Sequence, residues 1–131
     1  MNRVVHFDIM CDDPQRAILF YQKVFGWTIK KWEDNGMDYW LVMTGPQGEM
    51  GIGGGLSKRQ NSVAGDGLAT YLCTIGVENI DEMTKKIADN GGTIVKPKYE
   101  IPKVGWLAYC KDTEGNMFNV MQSTMPMSTS M

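Results

Sequence analysis

Histidine is almost missing from this chain. One residue in 131, His6, carries an imidazole, so a metal site built from several histidines is excluded at the outset. Cysteine is scarce too: Cys11, Cys73 and Cys110 are odd in number and form no CxxC. That argues against a disulfide framework or a zinc knuckle and fits a reducing compartment. No stretch approaches the ~18 to 20 apolar residues that cross a bilayer, and the opening MNRVVHFDIMCDD lacks an apolar core of signal-peptide length. The expectation is a cytoplasmic protein with no membrane partner. Neither sign of charge dominates, with 13 basic against 15 acidic residues, a net charge of −2 and the basic residues scattered. Nucleic acid is therefore not an expected partner.

What the chain does have is length for one domain, 1–131, able to remove roughly two-thirds of its unfolded surface from water without a disulfide or metal. Eleven methionines supply flexible thioethers suited to irregular cores and to adaptable apolar pockets. RVVHFDIM alternates, placing Val5, Phe7 and Ile9 on one face of a strand and His6, Asp8 and Met10 on the other. CDDPQRAILFYQKVFGW then predicts a helix, capped by Asp12 or Asp13, with Pro14 in its first turn and Gly26 at its end. Its expected buried stripe is Ala17, Phe20, Tyr21, Val24 and Phe25. WTIKKW, YWLVMT and MGIGG read as three further strands separated by the turns EDNGMD and GPQGE.

Residues 53–67, GGGLSKRQNSVAGDG, lose all periodicity and read as a connection. The GGGL at its head has no GKS or GKT and no helix directly after it, so it is a poor phosphate loop. Beyond it the order repeats: ATYLCTIGV as a strand, ENIDEMTKKIADNGG as a helix with Asn79 as cap and Glu82 three residues on, then TIVKPKY, VGWLAYC and MFNVM as strands. A shift of 66 pairs Ile9 with Ile75, Gly26 with Gly92 and WLV at Trp40 with WLA at Trp106; at the second turn it becomes 67, pairing Met50 with Met117. The expected organisation is module one at 3–54, a linker at 55–67, module two at 68–122 and a tail at 123–131. A four-stranded sheet with one helix covers only one of its faces. The expected fold is therefore α+β: two tandem βαβββ modules forming a cup-shaped mixed sheet, helices outside and a small-molecule pocket within. KPKYEIPKVGW is expected as a loop over the rim.

VHFDI, DDPQRAILFYQKVFGW, GPQGEMGIGGGL and KDTEGNMFNVMQ together resemble the vicinal oxygen chelate superfamily of glyoxalase I, bleomycin-resistance proteins and extradiol dioxygenases, over residues 3–122. They look most like its branch of small glyoxalase-like proteins. The resemblance implies a divalent ion held by one residue from the first and one from the last strand of each module. Here those positions fall on His6, Ile52, Leu72 and Asn119. Only His6 is a usual ligand; Asn119 offers a carbonyl oxygen, and Ile52 and Leu72 offer nothing. No metal cofactor is therefore expected, and if one binds, His6 with Asp8 or Asn119 would hold it.

Without a metal, Asp8 can orient or charge the imidazole of His6 and leave it as a general base near neutral pH. Their stems lie about 7 Å apart along a strand, so contact requires both to lean. Tyr39, Trp40, Tyr71, Trp106 and Tyr109 supply aromatic walls, though alternation alone does not say which of them face the cup. The expected function is binding of a small molecule by Met10, Ile52, Leu72 and Asn119, with metal-independent lyase or isomerase chemistry at His6 and Asp8. The alternatives are a non-catalytic resistance protein that sequesters an aromatic or drug-like ligand, and a metal-dependent glyoxalase or dioxygenase. Superfamily habit implies a homodimer.

Overall fold

A computed structural model describes residues 1–33, 38–59 and 71–124. Its elements are β1 (Arg3–Cys11), α1 (Pro14–Phe25), β2 (Thr28–Lys31), β3 (Tyr39–Met43) and β4 (Gly54–Lys58), then β5 (Tyr71–Gly76), α2 (Ile80–Asp89), β6 (Thr93–Ile101), β7 (Gly105–Lys111) and β8 (Met117–Ser123). The class is α+β, and the βαβββ order occurs twice. Two compact units are present among the described residues, one within His6–Tyr71 and one formed by Met1–Val5 with residues 72–124. The expected turn at 33–38, most of the linker at 55–67 and most of the tail at 123–131 lie outside the described residues.

In the first module the strands run in the order β1-β4-β3-β2. β1 pairs parallel with β4, Phe7 beside Gly54 and Asp8 beside Gly55, and β3 pairs antiparallel with both β4 and β2. α1 begins where the Asp13 side chain accepts from the Arg16 amide at 3.2 Å, and it ends at Gly26, whose φ of 73° is left-handed. Ile9, Ile18, Ile29, Val42 and Leu56 form the core, with Phe7, Cys11, Ala17, Tyr21, Trp27 and Trp40 packed on it. Each buried aliphatic side chain of this size contributes about 1.5 to 3 kcal/mol.

The expected stripe on α1 is partly corrected. Ala17 and Tyr21 meet the core, but Phe20, Val24 and Phe25 are each more than half exposed and Ile18 is buried instead. The Trp27 indole lies parallel to the Tyr21 ring at 5.1 Å and contacts Phe25 at 5.4 Å, so the aromatic side chains at the end of the helix stack on one another.

A second correction matters more for the site. The strand expected at MGIGG is a loop, and β4 begins only at Gly54. Gly48 and Gly51 have φ of 98° and 136°, which breaks an extended run, and the Thr44 hydroxyl donates to the Ile52 carbonyl at 2.7 Å. Leu56, not Ile52, is the apolar residue sealed beneath α1.

The second module repeats the topology as β5-β8-β7-β6. Asn79 caps α2 by accepting from the Glu82 amide at 3.0 Å, and Val77, Ile80, Ala108, Cys110 and Val120 form its core. The rim loop expected at KPKYEIPKVGW is instead mostly β6, which continues to Ile101 through register shifts between Ile94 and Lys96 and between Lys96 and Tyr99. Pro97 falls within that irregular stretch of an edge strand, where its missing N–H breaks no ladder bond.

Candidate active site

Alternation along β1 sends Phe7, Ile9 and Cys11 toward α1 and turns His6, Asp8 and Met10 to the opposite face. The registers of β4 and β3 fill out that face. Gly55 lies beside Asp8 and Ser57 beside Met10, while Tyr39 lies beside Ser57 and Leu41 beside Gly55. Paired residues of neighbouring strands share a face. His6, Asp8, Met10, Tyr39, Gly55 and Ser57 are thereby brought together by backbone pairing alone.

The polar contacts centre on Tyr39. Its hydroxyl donates to Asp8 Oδ1 at 2.6 Å and lies 2.9 Å from His6 Nε2. His6 Nε2 is also 3.4 Å from Asp8 Oδ1, with the two side chains only 6% and 14% exposed. The two β1 side chains thus lean together, and the hydroxyl of Tyr39 closes a triangle with them. His6 Nδ1 is buried without a hydrogen-bond partner among the described residues. Beside this triangle, the Ser57 hydroxyl donates to Met10 Sδ at 3.4 Å, and the Arg59 guanidinium joins the Met10 carbonyl at 3.0 Å to Asp12 at 3.1 Å.

Gly55 explains why the tyrosine fits. A Cβ built there would fall on the Tyr39 hydroxyl and its ring carbon Cζ. Ile52, expected among the binding residues, lies instead in the loop ahead of β4, and the strand position level with Asp8 is Gly55. The second module carries Leu72 on β5 and Asn119 on β8, each buried. Asn119 lies beside Thr74, and its Oδ1 has no hydrogen-bond partner among the described residues.

Comparison with known proteins bears on this arrangement. The model of the Glyoxalase/Bleomycin resistance protein/Dioxygenase superfamily matches residues 3–120. The chain belongs to this superfamily. The "Putative glyoxylase CFP32" of Mycobacterium bovis is 26% identical over 116 residues, covering 88% of this chain and 42% of that protein. This chain therefore spans less than half the length of the curated relatives it matches. Among solved structures, a Streptomyces coelicolor methylmalonyl-CoA epimerase variant in complex with 2-nitronate-propionyl-CoA is similar, with 18% identity and a TM-score of 0.64 over 95% of this chain and 99% of that one. A hypothetical protein, BH1468, from Bacillus halodurans gives 14% identity and a TM-score of 0.68 over 95% and 96%. Identities this low show a shared fold alone.

Within the superfamily fold, the positions that the resemblance assigns to a divalent ion are poorly supplied here. On the last strand of the first module, Gly55 brings no donor, and the Tyr39 hydroxyl takes the volume a ligand side chain would need. Leu72 is apolar, and His6 Nε2 is already engaged. No group of three or more histidine, cysteine, aspartate or glutamate side chains suited to a metal occurs among the described residues. The donor set does not fit a chelated ion, for which a catalytic site usually supplies three protein ligands.

Tyr39 and Gly55 are the residues that sequence reasoning did not place. Tyr39 reads as one aromatic of an alternating strand, and alternation does not say which face it takes. The usable signal is the glycine run at Gly53, Gly54 and Gly55, since glycine inside a strand marks a close approach by another group. No helix among the described residues is long and apolar enough to cross a membrane.

Proposed function

We propose that the protein binds a small carbonyl compound on the face of the first module opposite α1 and moves a proton on it without a metal, as an isomerase or lyase. His6 Nδ1 is the base. The observation that carries this reading is the division of labour within one buried imidazole, with Nε2 held by Tyr39 and Asp8 and Nδ1 left without a partner. A lone pair buried in that way has lost its water and gained no donor, so a C–H or O–H proton of a bound molecule is its natural partner.

In the forward step Nδ1 takes a proton from the carbon beside the carbonyl, and the C–H electron pair moves onto the carbonyl oxygen as an enolate. The resulting imidazolium is stabilised through Nε2 by the Asp8 carboxylate 3.4 Å away. Return of the proton to the opposite face of that carbon, or to the former carbonyl carbon after the enolate oxygen is protonated, gives isomerisation; loss of a leaving group from the carbon next to the enolate gives elimination. Met10 and Leu41 supply apolar surface beside the polar triangle. Fold relatives named as epimerases of methylmalonyl-CoA, an acyl thioester, make α-carbonyl carbon acids the first class to try.

The test is NMR in D2O with EDTA present, using a panel of probes comprising methylmalonyl thioesters and hemithioacetals of α-ketoaldehydes. Expected is exchange of the α-hydrogen by the wild-type protein and a loss of at least ~100-fold in His6→Ala, with probe binding retained. Binding without exchange in the wild type would overturn catalysis in favour of sequestration. Exchange that appears only after adding a divalent ion would overturn the metal-free reading.

A further inference from the structure

We propose that Tyr39 is a positioning residue that locks His6 in the tautomer protonated at Nε2, and that position 55 is glycine in order to admit the tyrosine hydroxyl. The proposal rests on the reading of His6 as a base, because it supplies what that reading needs: a lone pair on the nitrogen that Tyr39 and Asp8 do not hold.

The count of available protons fixes the tautomer. The Tyr39 hydroxyl has one, and at 2.6 Å from Asp8 Oδ1 it must donate there, since a carboxylate can only accept. Were the hydroxyl turned toward His6, its oxygen and the carboxylate oxygen would face each other at that distance with no proton between them. With its proton committed to Asp8, the hydroxyl can only accept from His6 Nε2 at 2.9 Å, so Nε2 carries the imidazole proton. The same proton also points toward Asp8 Oδ1 at 3.4 Å. Nδ1 is then the bare nitrogen, and it is the one left buried without a partner. A buried nitrogen in the other tautomer would be an orphaned donor, with the cost of an unmade hydrogen bond.

Gly55 makes the arrangement possible. It sits inside β4 and not at a turn, and its backbone does not lie in the left-handed region, so conformation does not demand glycine. Space does, because any Cβ at this position overlaps the Tyr39 hydroxyl. The β4 position level with Asp8, which strand register makes the counterpart of Asn119, thereby has no side chain, and a hydroxyl reaching across from β3 takes that space.

His6 is the only histidine, so a uniformly 15N-labelled sample gives a single imidazole spin system, and its tautomer is read without a substrate. The measurement is made near pH 9, above the ordinary histidine range. Expected in the wild type is one pyrrole-type nitrogen at Nε2 and one pyridine-type nitrogen at Nδ1. Tyr39→Phe, which deletes the hydroxyl, and Gly55→Ala, which keeps it but displaces it, should each shift the pair toward a tautomer average. A proton on Nδ1 in the wild type would overturn the proposal, as would 15N shifts unchanged in both folded variants. The wild-type spectrum decides even if a variant does not fold. The expected tautomer in a protein with no α-hydrogen exchange would sink the base and leave the positioning role standing; the opposite tautomer with His6-dependent exchange would do the reverse.

Discussion

The coupling between Tyr39 and Asp8 can be measured as stability, independently of any ligand. The perturbation is a double-mutant cycle of Tyr39→Phe and Asp8→Asn. Tyr39→Phe deletes a 2.6 Å hydrogen bond to a carboxylate that is only 14% exposed, and hydrogen bonds to charged groups contribute about 1.5 to 3 kcal/mol. It also removes the acceptor that His6 Nε2 finds at 2.9 Å. The net expected cost is about 2 kcal/mol. Asp8→Asn keeps an oxygen for the hydroxyl but removes its charge, at about 1 to 2 kcal/mol. The double variant has neither hydroxyl nor charge, and its destabilisation should fall short of the sum by about 1 kcal/mol or more. Urea unfolding followed by tryptophan fluorescence reads these values, with four tryptophans as reporters. With a slope of about 1 to 3 kcal/mol per molar urea, a loss of 2 kcal/mol moves the midpoint by roughly 1 M. Additivity within about 0.3 kcal/mol would refute the reasoning, because it would mean that the two groups do not share a bond in solution.

Two further expectations concern the scaffold. Leu56→Ala empties a fully buried position of the first core and should cost about 2 to 5 kcal/mol in the same urea assay, whereas Ile52→Ala, in the loop, should cost far less; equal costs would place β4 in the wrong register. Stability should also depend on pH at both extremes. The Asn116 amide, the Asn116 side chain and the Glu114 amide all donate to Asp112 and hold its carboxyl below the ordinary range; the stabilisation they give is present above the unfolded value near 4 and lost as pH falls through the lower folded one. Burial and the Tyr21 hydroxyl push Tyr71 upward, so its contribution is complete below the unfolded value of about 10 and lost as pH rises beyond it. Asp112→Asn should flatten the acid limb and Tyr71→Phe the alkaline one, each followed by the urea midpoint.

Periodicity was enough to find the elements and their order because the cues are local. Asp13 and Asn79 cap their helices, Gly26 ends the first, and the βαβββ order repeats, although the strand registers match Trp40 to Ala108 and not to Trp106. The misplacements arose where tertiary packing overrides a local cue. Tyr21, Phe25 and Trp27 stack on one another at the end of α1, a contact that no helical spacing encodes. MGIGG has the composition of a short strand, yet Gly48 and Gly51 take left-handed conformations and push the strand on to Gly54. His6 and Asp8 were legible as partners on one strand face, but the hydroxyl between them comes from 31 residues further along the chain. Register between strands, which sequence does not specify when one of them is glycine-rich, is what brings it there.

The corrected register also recasts the comparison of the two modules. Asp8 pairs with Gly55 in the first, and its counterpart Thr74 pairs with Asn119 in the second, so Asn119 corresponds to Gly55 and not to Ile52. On the neighbouring strand, Tyr39 beside Ser57 corresponds to Leu107 beside Met121. The two modules thus fill the same places in complementary ways: a glycine with a long tyrosine in one, an asparagine with a leucine in the other. A side chain at 55 would evict the tyrosine hydroxyl. Tandem repetition would predict two equivalent polar centres. Instead the imidazole, the carboxylate and the hydroxyl meet in the first module, and the second has a buried threonine and asparagine on the equivalent face. A substitution at 55 or 39 is therefore expected to act on the hydrogen bonding of His6, 55 through the space it leaves and 39 through its hydroxyl.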